Sequence, residues 1–204
     1  SLKGFYLLAD KSAQLNAFEK SLDYAEECLD LNLDYKQAKI NGMKFDELLS
    51  TLGEADLFCL LFKAQTRGQW AKARGIAQSL KYVGSLKAMM SRIEILNPNF
   101  YYAAVPRFWG AYYANLPGFM GGNNDKAKVL FQQSIDEAPY YLVTYRLFIE
   151  DYVIPHKDEQ LFDLLVNSAL SLDIKSFDKE LWLTNQLELN KIQLLFNNKS
   201  QLFK

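Results

Sequence analysis

Catalytic side chains are scarce in this sequence. His156 is the only histidine, and it lies in the segment IPHKDE, which is typical of a loop between helices. A catalytic triad or a histidine metal site needs partner side chains that orient the imidazole, and the sequence shows none around His156. Adjacent carboxylates such as Asp46 and Glu47 fit an ordinary polar helix face. We therefore predict a non-enzyme with no catalytic residue, no metal site and no cofactor.

The two cysteines, Cys28 and Cys59, have none of the short spacings that mark metal or redox sites. Unpaired cysteines in proteins usually behave as small hydrophobic residues. Buried free thiols are therefore the favoured interpretation, and a disulfide between the two is the alternative.

The segment LPGFMGGNND is rich in glycine, as phosphate-binding loops are, but its glycines do not have the spacing of such loops. It matches neither Gly-x-Gly-x-x-Gly after a strand nor Gly-x4-Gly-Lys-Ser/Thr. Gly121 and Gly122 can instead adopt positive φ in a turn that follows Pro117. Asn123 is placed to cap a helix that begins near Asp125. The segment is predicted to be a turn that starts a packed helix.

Length and charge limit the classes of protein to which this chain can belong. The 204 residues are 50% hydrophobic, enough for one well-buried domain that we predict to span residues 1–204. With 23 Lys and Arg against 24 Asp and Glu, the chain lacks the overall basic charge on which nucleic-acid binding depends. The longest apolar run, Leu57 to Phe62, is far shorter than the roughly 20 residues of a membrane-spanning helix.

The elements that carry these residues are predicted to be helices. Apolar residues recur at helical spacing in Leu57, Leu60, Leu61 and Ala64, and no long alternating pattern indicates a strand. We expect an all-α chain of roughly ten helices.

A repeat organises these helices. The spacing of Ala127, Phe131, Ser134 and Pro139 is that of the second helix of a tetratricopeptide repeat. The pattern recurs at Cys28 and Ile93, which like Ser134 are followed seven residues later by an aromatic residue, and a fourth copy places Ala169 at the same position, 35 residues after Ser134. Helical-hairpin repeats stack into a superhelix with a concave surface. The predicted fold is therefore a tetratricopeptide-like α-α superhelix of antiparallel helical hairpins, with Gly110 and Ala127 at a close contact between helices.

Aromatic residues are concentrated between Phe100 and Phe119. Most are expected to fill the core, because aromatic side chains bury large areas. The remainder are predicted to line a groove for a ligand or partner, in which Arg107 offers paired donors to a carboxylate. A structural contact inside the bundle is the alternative for Arg107. The predicted groove residues are Tyr101, Tyr102, Arg107, Trp109, Tyr112 and Tyr113.

The central segment, NPNFYYAAVPRFWGAYYANLPGFMGGNNDKAKVLFQQSIDEAP, resembles the core signature of the TRAP-transporter T-component family. The resemblance rests on Arg-x-x-Gly, Tyr-Ala-x-Leu-Pro, a Gly-Gly turn, Lys-Ala and a Phe. These are Arg107, Gly110, Tyr113, Ala114, Leu116, Pro117, Gly121, Gly122, Lys126, Ala127 and Phe131. The chain departs from the family pattern in two places. Ala104, Val105 and Pro106 precede Arg107 where the family has Gly-Pro-His-Arg, and Asn123 replaces an Asp.

The resemblance implies a tetratricopeptide-like periplasmic lipoprotein, anchored through a lipid attached ahead of Ser1. Such a protein accompanies the solute-binding subunit of a tripartite ATP-independent periplasmic (TRAP) transporter. Two further partners are expected, namely further copies of the chain in a homo-oligomer such as a trimer and an apolar or carboxylated small ligand. The alternative function is a stand-alone carrier that holds a hydrophobic small molecule in an aromatic-lined cavity.

The turn segment is also a predicted interface. It adds five residues to the helical hairpin and must protrude at its turn. Its apolar residues Leu116, Phe119 and Met120 are expected to contact the solute-binding subunit or a second copy, because exposed apolar groups are costly unless covered. The alternative is that they fold back onto the helices of the same chain.

Overall fold

The computed structural model describes residues 10–177 and 179–204. All regular secondary structure within these residues is helical, and eleven α-helices are present among them. The prediction of an all-α fold with roughly ten helices is confirmed for this part of the chain. The predicted lipid attachment ahead of Ser1 falls outside the described residues.

The chain forms two compact units, residues 1–100 and 101–204. They are called the first and the second unit below. The division does not test the predicted single domain, which stays a prediction.

The first unit consists mainly of three long helices and two short ones. Their bounds are α1 Lys11–Leu29, α2 Leu33–Ile40, α3 Phe45–Leu49, α4 Leu57–Arg74 and α5 Ile76–Leu96. α4 packs against both α1 and α5. The Asp10 and Asn32 side chains cap α1 and α2, because each accepts a backbone N–H in the first turn. Phe18, Trp70 and Ala71 fill a buried cluster between α1 and α4.

A disulfide joins Cys28 on α1 to Cys59 on α4, so the free-thiol interpretation is wrong. The two cysteines are 31 residues apart in sequence, yet their Cα atoms lie 5.8 Å apart. They face each other because α1 and α4 run antiparallel, which the spacing of the two cysteines in the sequence does not reveal.

A charge network lies one turn from the disulfide. The Glu26 carboxylate accepts hydrogen bonds from Lys39 at 2.8 Å, from Lys63 and from the Tyr35 hydroxyl. Partial burial raises the pKa of Glu26, but the two lysine hydrogen bonds outweigh burial and hold that pKa below its usual value. The network links α2 and α4 to α1.

The second unit carries the central segment of the sequence. Its helices are α6 Phe100–Asn115, α7 Asn124–Glu137, α8 Leu142–Phe148, α9 Glu159–Leu170, α10 Lys179–Asn197 and α11 Lys199–Leu202, and a π-helical turn, Ile149–Val153, extends α8. Phe131 on α7 and Phe148 on α8 stack at 4.9 Å between ring centres in the core of this unit. Phe162 on α9 and Ile192 on α10 belong to the same fully buried cluster.

Buried polar side chains connect α8 to α10. Arg146 donates two hydrogen bonds to the Glu188 carboxylate, and Glu188 is completely buried. Asn185 accepts from the Leu142 backbone N–H at 3.1 Å and donates to the Tyr140 carbonyl at 2.7 Å. These contacts fix where α8 begins relative to α10.

The predicted repeat positions lie near the C-terminal ends of four helices. Cys28, Ile93, Ser134 and Ala169 lie in the last turns of α1, α5, α7 and α9, respectively. A proline follows two of these helix ends, since Pro98 comes after α5 and Pro139 after α7. Proline cannot continue a helix, so it marks the turn before the next one.

No helix in the described ranges is both long enough and apolar enough to cross a membrane.

Candidate functional site

A left-handed turn stands at the start of α6. Tyr101, Tyr102 and Ala103 have φ values of 49°, 52° and 56°. Non-glycine residues in this region cost roughly 1–2 kcal/mol each, and strained backbone is often found at functional sites. Three in succession therefore require strong compensating contacts.

Arg107 supplies those contacts. Its guanidinium donates to the Tyr102 carbonyl at 2.5 Å and to the Tyr101 carbonyl at 3.4 Å. Pro106 lacks the N–H that a continuous helix would offer to the Tyr102 carbonyl four residues earlier. Arg107 thus replaces a donor that the proline removes.

Arg107 is only 3% exposed, and the other neighbours of its guanidinium are an aromatic ring and a hydroxyl. It lies 4.6 Å from the centre of the Tyr141 ring, and it reaches Thr144 Oγ1 at 3.5 Å. No carboxylate among the described residues forms an ion pair with it. Burial lowers the pKa of Arg107 because it disfavours the charged form. The direct contacts of this cation are neutral, and the Glu188 carboxylate acts on it only through space, so the guanidinium is chemically suited to receive an anion.

Tyr101 and Tyr102 belong to an aromatic group around this guanidinium. Tyr102 stacks on Tyr141 at 4.8 Å, and Tyr101 meets Tyr141 edge-on at 6.0 Å. Tyr140 and Phe177 continue the group. Burial raises the pKa values of Tyr101 and Tyr141, so both hydroxyls stay neutral at ordinary pH.

The other three predicted groove residues form a second aromatic group along α6. Trp109 contacts Tyr112 at 5.4 Å and Tyr113 at 6.3 Å, and Phe108 stacks on Tyr112. Each of these rings is partly exposed. The six residues predicted to line one groove are therefore distributed over two aromatic groups, and Arg107 belongs to the first.

The turn between α6 and α7 presents one fully exposed aromatic side chain. Phe119 is 91% exposed and Met120 38% exposed, whereas Leu116 is partly buried. A 3₁₀ turn, Gly118–Met120, forms the tip. The loop is fixed at its far end, because the Asn123 N–H donates to the Tyr113 carbonyl at 3.0 Å and the Asn123 side chain caps α7.

The two glycines after the tip have different roles. Gly121 adopts the predicted positive φ, 96°. The same expectation is wrong for Gly122, whose φ is not in that region. Gly122 is instead required by space, since a Cβ there would lie 1.8 Å from the Leu116 carbonyl oxygen. The backbone of Leu116 and Pro117 passes too close to Gly122 for any side chain there.

The predicted close contact between helices involves Gly110 on α6. A Cβ on Gly110 would meet the Phe131 ring at 3.0 to 3.1 Å, and Ala127 is completely buried in the same core. Pro139, one turn before α8, leaves its carbonyl to accept a hydrogen bond from the Tyr145 hydroxyl at 2.9 Å.

His156 lies in the turn after the π-helical segment. Its ring stacks on Tyr152, and Nδ1 lies 2.7 Å from the Tyr152 carbonyl oxygen. Within the described ranges no cluster of three or more His, Cys, Asp or Glu side chains could hold a metal ion.

Tyr141, the residue before α8, and Thr144 on α8 contact Arg107 but were not among the predicted site residues. Their distance from Arg107 in the sequence hides them. The sequence does give one signal that a side chain must bind at this turn. Pro106 has no N–H, so the Tyr102 carbonyl, four residues before it, lacks its helical donor.

The family model of the TRAP transporter T-component matches residues 11–203 of this chain. A search of curated proteins returned no match. The family match spans both units and includes the left-handed turn, Arg107 and the exposed loop. The chain belongs to the TRAP transporter T-component family.

Proposed function

We propose that this chain is the non-enzymatic periplasmic component that docks the solute-binding subunit of a tripartite ATP-independent periplasmic transporter. Family membership implies an accessory component of a TRAP transporter. The proposal adds the docking role, a tetratricopeptide-like superhelix as the scaffold, and a lipid anchor ahead of Ser1.

The exposed Phe119 carries the docking proposal. When a partner covers an aromatic side chain that is 91% exposed, the burial of apolar surface favours the complex. The loop around it is held in place by the Gly122 backbone contact and the Asn123 cap, so little ordering is needed on binding. A second copy of this chain is the other partner that such a loop could receive.

The disulfide supports the proposed compartment. Disulfides persist in oxidising environments such as the bacterial periplasm and are rare in the cytosol. The bond between Cys28 and Cys59 therefore favours an exported protein.

The docking proposal is tested by changing Phe119 and Met120 to Ser together and measuring retention of the purified solute-binding subunit on the immobilised chain. We expect retention to fall at least tenfold, because two apolar contacts are lost. The matched control changes Val129 and Leu164 to Ser, since both are exposed apolar residues elsewhere in the second unit. Equal retention by both variants would place the interface elsewhere. Sedimentation of the isolated variant shows whether the loop instead joins two copies.

A second candidate function is the binding of a carboxylated apolar ligand at Arg107. The specific observation is the buried guanidinium, whose direct contacts among the described residues are carbonyl, hydroxyl and aromatic groups. Octanoate and octanol, which differ in charge, serve as probes in calorimetry. Octanoate should bind the parent chain and not the Arg107→Met variant, whereas octanol should bind neither tightly. Equal binding of the two probes would exclude a carboxylate site.

A further inference from the structure

Basic residues are unevenly distributed along the chain. Between Leu57 and Ile93 the sequence has seven Lys and Arg and no Asp or Glu. The remainder holds the other 16 basic residues and all 24 acidic ones. The hairpin formed by α4 and α5, which adds only one charged residue, Glu94, beyond this stretch, is therefore strongly basic in a chain that is nearly neutral overall. Its cations are Lys63, Arg67, Lys72, Arg74, Lys81, Lys87 and Arg92.

Cations far from the hairpin turn are engaged inside the first unit. Lys63 binds the Glu26 carboxylate. Arg92 donates to the Ser50 carbonyl at 3.0 Å and to the Leu52 carbonyl at 3.2 Å. These two side chains are therefore part of the fold.

Cations at the turn of the hairpin are more exposed, and Arg74 there also pairs with Glu19 at 3.5 Å. Gly75, with φ of 107°, reverses the chain between α4 and α5. Lys72, Arg74 and Lys81 are exposed there, and Ile76, the first residue of α5, is 72% exposed. We call Lys72, Arg74, Ile76 and Lys81 the basic tip. An apolar side chain with cations around it is the pattern of proteins that bind at a membrane surface.

Lys81 belongs to the tip because α4 and α5 are antiparallel. Deeper in the hairpin, the Trp70 and Tyr82 rings meet at 5.6 Å, and an added Cβ on Gly68 would lie 3.9 Å from Leu86. Continuing this pairing toward the turn brings Lys81 level with the last turn of α4.

α1 begins at the same end of the first unit. Its Glu19 accepts from Trp70 Nε1 at 3.0 Å and lies 3.5 Å from Arg74, whereas the disulfide joins α1 to α4 at the opposite end. The start of α1, about two turns before Glu19, is therefore at the end of the unit that carries the basic tip. Of the acidic side chains at this end, Asp10 accepts from the Ala13 N–H, and Glu19 accepts from Trp70 and forms a salt bridge with Arg74.

The first turn of α5 adds to the positive potential. It contains no acidic residue and no side-chain cap. Its backbone N–H groups point out at the tip, where the helix dipole favours phosphate. The tip thus combines three exposed cations, of which Arg74 is paired with Glu19, with one apolar side chain and a helix start that no side chain caps.

We propose that the basic tip lies against a membrane surface rich in anionic phospholipid, with Ile76 in the headgroup layer. Each basic side chain close to such a surface strengthens binding, and the strengthening is screened by salt. This inference gives an orientation to the proposed lipid-anchored chain, because α1 starts at the end that carries the tip. It does not depend on docking of the solute-binding subunit.

The test is cosedimentation of the full chain with vesicles. One set is phosphatidylcholine containing about one third phosphatidylglycerol, and the other is phosphatidylcholine alone. We expect binding only to the anionic vesicles, and we expect release when salt is raised from about 0.1 M to about 0.5 M. The Lys72→Gln, Lys81→Gln double variant should bind about 30-fold less, and Ile76→Ser several-fold less.

The matched control is the Lys36→Gln, Lys128→Gln double variant, which removes the same charge from exposed positions on α2 and α7. It should bind vesicles like the parent chain, and circular dichroism should show all variants folded. Equal weakening by the two double variants, or equal binding to neutral vesicles, would overturn the proposal. So would loss of solute-binding-subunit retention in the tip variant without a change in vesicle binding, because the tip would then bind an acidic protein surface. The Phe119, Met120 variant should keep vesicle binding, so the two proposals fail separately.

Discussion

The two units are stabilised by different chemistry. The first unit has a covalent link between α1 and α4 and a partly exposed charge network around Glu26. The second unit has polar groups that are completely buried, including Glu188, Asn185 and Thr144. Reductant and salt can therefore reach the interactions of the first unit, whereas the second depends on the match of buried donors and acceptors. Removal of the disulfide should therefore affect mainly the first unit, and substitution of a buried polar residue mainly the second.

The largest expected effect is in the second unit. Glu188→Ala leaves Arg146 buried without its main partner, and we expect the free energy of unfolding to fall by about 3–5 kcal/mol. Glu150, the other carboxylate on Arg146, is partly exposed, so Glu150→Ala should cost less than about 1 kcal/mol. Denaturant titrations give both values. Equal losses would contradict the assignment of a buried pair.

The disulfide should come next, and its effect should be seen in the first unit. Cys28→Ser with Cys59→Ser removes a cross-link that restricts the unfolded chain, which should lower stability by about 3–4 kcal/mol. Hydrogen exchange should show the loss of protection in α1 and α4, with α8 and α10 less affected. Reductant should lower the stability of the parent chain by the same amount as the double substitution does, and it should leave the stability of the double variant unchanged. Equal loss of protection in all helices would show that the units unfold together.

A smaller effect is expected at the α7 contact. Ala127 is completely buried, so Ala127→Leu should overpack the core and cost about 1–3 kcal/mol. The control is Val129→Leu, two residues along the same helix and 66% exposed, which should change stability by less than about 0.5 kcal/mol. Thermal melting compares the two. An unchanged midpoint for Ala127→Leu would argue against a close contact at this position.

The smallest expected effect is the most specific test of the left-handed turn. The sign of the stability change, and not its size, distinguishes a left-handed from a right-handed backbone. Glycine in a right-handed helix costs about 0.5–1 kcal/mol relative to alanine, but it adopts positive φ without strain. Ala103→Gly should therefore be neutral or stabilising by up to about 1 kcal/mol, even though Ala103 is buried. Ala169→Gly, at a buried position of α9, should be destabilising. Similar losses for both would mean that Ala103 does not hold a left-handed conformation in solution.

Local patterns in the sequence predicted the features that depend on neighbouring residues. The Asn123 cap, the Gly121 turn and the helical class each follow from residues within a few positions. The space limit at Gly122 is also local, but it depends on the path of the backbone, and residue type alone does not reveal that path.

Features that depend on packing between distant residues were not predictable in the same way. The pairing of Cys28 with Cys59 requires the register of α1 on α4. The contacts of Arg107 with Tyr141 and Thr144 require the placement of α8. Nothing in the sequence Tyr-Tyr-Ala indicates a left-handed turn, since glycine is the residue that normally marks one.

The crowding at Gly122 has a practical consequence for labelling the exposed loop. A Cβ added to Gly118, in the same loop, would have no heavy atom within 4 Å, so a substituted cysteine can carry a fluorophore next to Phe119. The same substitution at Gly122 would force the chain apart at Leu116. In a library of all single substitutions, position 118 should accept most residue types and position 122 only glycine, although the two lie four residues apart.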